Sequence, residues 1–98
     1  MELITQSGKA LRALMDSGAS NNFVREQTLV ESTGDFVERQ IPSTKMAVRL
    51  ATGSVVRLMK RVVGIDYTYE GVPLDDDFIV LDLDDKFDVI LGMPWLKK

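Results

Sequence analysis

Short apolar runs separated by turn-forming residues constrain this chain most. Leu3-Ile4, Ala10-Leu11 with Ala13-Leu14-Met15, Met46 to Leu50, Val55-Val56, Phe78 to Leu81 and Phe87 to Leu91 are each too short for a buried helix. Ser7-Gly8, Thr52-Gly53, Glu70-Gly71 and Gly92 with Pro94 punctuate them, which predicts strands joined by tight turns. The pattern therefore predicts an all-β barrel or sandwich with one or two short helices. Ninety-eight residues make one domain with one core.

In chain order, Leu3 to Met15 reads as a hairpin whose second strand delivers Asp16. Ser20 or Asn21 is a candidate cap for a short helix running from Phe23 to before Gly34. The polar stretch 35–44, holding Pro42, reads as a loop with a short strand at most. A second hairpin spans 46–59 with Thr52-Gly53 at its tip, and its outgoing strand is expected to continue to Tyr69 with a bend or bulge at Gly64. Phe78-Ile79-Val80-Leu81 is continuously apolar and is expected to be buried on both faces. Met93 to Lys98 is expected to begin a helix with Trp95 and Leu96 turned inward.

Composition restricts the chemistry before any motif is considered. The chain has no Cys and no His, which excludes disulfides, thiolate nucleophiles and His-based triads and removes the commonest metal ligand. A net charge of -3 does not suggest a nucleic-acid partner, and no apolar run is long enough to span a bilayer. The start of the chain lacks the pattern of a signal peptide. Catalysis falls to carboxylates, hydroxyls, Lys or Tyr.

Two separated segments then agree. Leu14-Met15-Asp16-Ser17-Gly18-Ala19-Ser20 places a carboxylate at the mouth of a strand, and Asp88-Val89-Ile90-Leu91-Gly92-Met93-Pro94-Trp95-Leu96 follows far down the chain. Together they resemble the retropepsins, the homodimeric aspartic proteases of retroviruses and LTR retrotransposons, most closely the gypsy-type retrotransposon enzymes. The resemblance covers nearly the whole chain and implies a retropepsin-like closed β-barrel with one lobe per chain. It also implies an aspartic endopeptidase without a cofactor, excised from a retroelement polyprotein and acting in the cytoplasm within retroelement particles.

Two carboxylates sharing one proton hydrolyse a peptide bond without metal, Cys or His, one acting as base while the other polarises the carbonyl. One Asp-Ser-Gly per chain means that the second must come from another copy on a two-fold axis. The resemblance makes Asp16 the catalytic acid, with Ser17 and Gly18 in its loop. It places Leu14, Ala19, Ser20 and Ile90 beside the substrate, and it makes 46–59 a flap whose tip is Ala51, Thr52, Gly53 and Ser54. That tip has one Gly where retroviral flaps often have several. Met93 and Ser20 stand where many relatives carry a paired Arg and Asp, both partners being absent together. Few residues flank the two motifs, so the interleaved end strands of many retropepsins are expected to be missing and the dimer to be weak. A non-catalytic peptide-binding module, monomeric or weakly dimeric, is the alternative expectation.

The acidic residues Asp75 to Asp77, Asp82, Asp84, Asp85 and Asp88 do not fit an EF-hand loop, because Phe87 and Met93 stand where Gly and Glu are needed. They read as a solvated turn, and no metal is expected.

Overall fold

The structure, a computed structural model, describes residues 1–32, 34–49, 53–82 and 86–97. Among the described residues, nine strands and two short helices follow one another as β1 (Glu2–Thr5), β2 (Ala10–Met15), β3 (Phe23–Arg25), α1 (Glu26–Glu31), β4 (Phe36–Glu38), β5 (Lys45–Arg49), β6 (Val55–Met59), β7 (Val62–Tyr69), β8 (Val72–Leu81), β9 (Val89–Leu91) and α2 (Met93–Leu96). The main sheet runs β1-β2-β9-β3-β8-β7-β4. It closes because β1 also pairs with β7, placing Ile4 opposite Thr68 and Thr5 opposite Tyr67. Six strands thus form a barrel without a free edge, and β4 is added outside it on β7. This is the expected all-β closed barrel.

Period-two alternation sorts side chains into two apolar clusters. Leu3, Leu11, Ala13, Val24, Val63, Ile65, Tyr67, Phe78, Val80, Val89 and Leu91 fill the barrel. Phe23, Val62, Ile79 and Leu81 point out of it and meet Val48, Met46 and Leu58 of the separate β5–β6 ribbon. The apolar run 78–81 is therefore buried on both faces, one pair of side chains in each cluster.

Three expectations about elements are corrected. Phe23 to Arg25 is a strand, paired in parallel with Ile79 to Leu81 and antiparallel with Val89 and Ile90. Its alternation sends Phe23 to one cluster and Val24 to the other, so the helix starts only at Glu26, with Arg25 as N-cap and no side-chain cap. The chain also breaks at Lys60 and Arg61, so β6 and β7 belong to different sheets. Gly64 is regularly paired with Val37 and Asp77 and makes no bulge. It lacks a side chain because the Arg39 guanidinium lies where a Cβ would stand.

Candidate active site

The order β2-β9-β3 builds the site. β9 lies parallel to β2, pairing Leu14 with Ile90 and Met15 with Leu91, and antiparallel to β3. A loop leaving β2 must therefore cross the end of β9, and it bonds to it there. The Asp16 N–H donates to the Leu91 carbonyl at 2.9 Å, and the Met93 N–H donates to the Ala19 carbonyl at 2.9 Å. Within the loop the Gly18 N–H donates to Asp16 Oδ1 at 2.9 Å, and the Ala19 N–H to the Asp16 carbonyl at 3.1 Å. The carboxylate is thus held through Oδ1 by backbone on a half-buried residue.

The geometry also explains two glycines. A side chain on Gly92 would meet backbone oxygens of Asn21 and Ala19, the latter at 2.6 Å from its Cβ. Backbone cannot swing aside as a flexible side chain can, so only Gly lets the last strand approach the loop. A Cβ on Gly18 would sit 3.2 Å from Asp16 Oδ1, crowding the carboxylate it serves.

Of the residues singled out from the sequence, Asp16, Ser17, Gly18, Ala19 and Ser20 lie together in this loop, with Ser17, Gly18 and Ser20 exposed. Leu14 and Ile90 are cross-strand neighbours on the outer face of the barrel. Ile90 and Ala19 pack against the second cluster, which connects them to the base of the β5–β6 hairpin. At the hairpin tip, Gly53 has φ +90° and Ser54 is exposed. Ala51 and Thr52 lie outside the described residues.

Two structural residues of the site escaped sequence reasoning. Asn22 is buried, and its Oδ1 accepts the Gly92 N–H at 2.9 Å. The only signal was an amide abutting the apolar Phe23-Val24 pair. Asp88 is also buried, contrary to the solvated turn expected of the acidic residues. It accepts the Arg12 N–H at 2.8 Å and the Thr28 hydroxyl at 2.9 Å, fastening α1 and β2 to the start of β9. Burial pushes its pKa up, but the Arg12 N–H, the Thr28 hydroxyl and the Arg12 guanidinium outweigh burial and hold it below the usual carboxylate range.

The other acidic residues are also not one turn. Asp75 to Asp77 lie in β8, where Asp77 and Asp75 flank Arg39 and Asp76 accepts the Tyr67 hydroxyl. Asp84 and Asp85 lie outside the described residues. Among the described residues no group of three or more His, Cys, Asp or Glu is placed to hold a metal, and no helix is long and apolar enough to cross a membrane.

A closed six-strand barrel that presents Asp-Ser-Gly on a loop braced by Ile-Leu-Gly defines the class as retropepsin-like aspartic proteases. A family model described as "Retroviral aspartyl protease" matches residues 3–98. The chain belongs to that family, and the activity that membership supports is aspartic proteolysis. Among solved structures the chain is similar to the solution structure of Simian Foamy Virus (mac) protease, with a TM-score of 0.57 and 21% identity over 100% of this chain and 94% of that one. At that identity the likeness shows the fold. A search of curated proteins gives no match.

Proposed function

We propose that the chain is an aspartic endopeptidase whose dyad is made of Asp16 from two copies related by a two-fold axis. Its substrate is the polyprotein of an LTR retroelement of the gypsy type, cut in the cytoplasm within the retroelement particle. The observation that carries this reading is the Asp16 loop, a carboxylate fixed by the Gly18 N–H on a surface that also exposes Leu14 and Met15, 39% and 48% accessible. Apolar side chains exposed beside a backbone-fixed acid suit a second copy and a substrate.

In the paired site the two carboxylates hold one proton and one water. The ionised Asp16 takes a proton from the water as its oxygen attacks the scissile carbonyl carbon, while the protonated one donates to the carbonyl oxygen. The tetrahedral species then collapses, the C–N bond breaks and the nitrogen takes up a proton from the dyad. Ser17 and Gly18 align the two loops. Leu14, Ala19, Ser20 and Ile90 receive the side chains next to the cut, and the β5–β6 hairpin acts as the flap, with Ala51, Thr52, Gly53 and Ser54 over the extended substrate. Closing it excludes water and fixes the peptide.

Initial rates on a library of hydrophobic peptides at mildly acidic pH test this. The expected rate rises with the square of enzyme concentration at the low end, as a weak dimer requires, and Asp16→Asn loses at least 1000-fold while keeping its fold, an order set by removing a reacting group. Cleavage that survives Asp16→Asn would sink the proposal.

A further inference from the structure

A net charge of only -3 conceals a strong segregation. Residues 45–61 hold five of the 12 Lys and Arg and none of the 15 Asp and Glu, leaving seven cations against fifteen acids in the rest of the chain. The cross-strand register places this charge on the hairpin. Lys45 stands opposite Met59, Ala47 opposite Arg57 and Arg49 opposite Val55. Directly opposed residues share a face, so each of three successive rows carries one cation and one apolar side chain, all six residues being exposed. Rows two residues apart lie about 7 Å apart along the ribbon. Met46, Val48 and Leu58 occupy the other face and are engaged in the second apolar cluster. Arg61 is paired with Glu38 at 2.8 Å, whereas Lys45, Arg49, Arg57 and Lys60 have no ion-pair partner among the described residues.

We propose that the outward face of the β5–β6 hairpin binds the phosphodiester backbone of nucleic acid. A row of unpartnered cations at regular steps, with no acid among them, matches a polyanion with regularly spaced charge. The segment 45–61 contains no Phe, Trp or Tyr, so it offers no platform on which bases would stack, and binding is to phosphates without sequence preference. An anionic membrane suits this face less well, since its apolar residues are Ala47, Val55 and Met59 with no Trp or Phe to bury, while Met46, Val48 and Leu58 are engaged in the second cluster. The inference stands whether or not the chain cuts peptides.

Fluorescence anisotropy of a labelled 20-nucleotide oligouridine, titrated with Asp16→Asn protein between 50 and 200 mM salt, is the test. Four phosphate contacts weaken binding about fifty-fold over that range, from a slope of about 0.7 per contact on single strands. The triple variant Lys45→Gln, Arg49→Gln, Arg57→Gln is expected to reduce the slope by about 2. The charge-keeping triple Lys45→Arg, Arg49→Lys, Arg57→Lys is expected to bind like its parent. Circular dichroism checks that each variant folds. Equal binding by the Gln triple, or binding to phosphatidylserine vesicles with none to the oligonucleotide, overturns the proposal.

Discussion

The barrel and the β5–β6 hairpin follow the same alternation of apolar and polar residues, yet they are secured very differently. Every barrel strand has hydrogen-bonded neighbours on both sides, and its cluster includes Leu3, Leu11, Phe78 and Leu91 with no exposed surface. The hairpin strands pair only with each other, and Val48 is their one buried side chain among the described residues. Closure concentrates stability where the Asp16 loop must be rigid. The ribbon rests on the barrel through Met46, Val48 and Leu58 alone among its described residues, so it is the less secured of the two.

The comparison can be broken first from the barrel side. Phe78→Ala removes a fully buried ring and is expected to cost about 4 kcal/mol, whereas Val48→Ala in the hairpin costs about 1.5 kcal/mol. Urea unfolding of the two variants measures both, and hydrogen exchange should show Val48→Ala loosening the hairpin alone. Next come two glycines with different neighbours. Gly92→Ala forces Cβ onto backbone and is expected to cost about 3 kcal/mol together with activity. Gly64→Ala meets first the exposed Arg39 side chain, which can move, and costs less than about 1 kcal/mol. Equal losses would erase the distinction between backbone and side-chain crowding.

Asp88 sharpens the same contrast through pH. Its folded pKa is depressed, so its contribution is fully present above the unfolded value of about 3.9 and is lost as pH falls through the lower folded value. Asp88→Asn is expected to destabilise the barrel by about 2 kcal/mol at neutral pH. The gap to the parent protein should narrow only in strong acid, as read from denaturation midpoints between pH 2 and 7. The smallest effect belongs to the hairpin base. There Arg61 on the outgoing stem makes a two-nitrogen contact with both oxygens of Glu38, from 2.8 to 3.1 Å. Glu38→Gln is expected to cost about 0.5 kcal/mol and to lose even that at high salt.

The sequence made the barrel legible because most strands carry their own alternation and turn chemistry. It also made the two halves of the site legible, since Asp16-Ser17-Gly18 and Ile90-Leu91-Gly92 each stand at the end of an apolar run. What it hid depends on contacts between distant residues. Phe23-Val24 read as helix because nothing local shows that β8 and β9 lie on either side of it. Asn22 went unnoticed because its partner, the Gly92 N–H, is 70 residues away. Asp88 read as solvated because charge alone does not reveal that Arg12 and Thr28 surround it. Gly64 read as a bulge because the arginine that covers it belongs to another segment.

The insertion of β9 between β2 and β3 has a consequence in time. A ribosome delivers β2 and the Asp16 loop long before it delivers Leu91, Gly92 and Met93, the residues whose backbone groups hold that loop and the approach to β3 in place. Pairings of such long sequence separation form slowly and late. A growing chain therefore carries its acid without those bonds until Leu91 to Met93 have emerged, and the loop gains its full set of contacts only when β9 slides in.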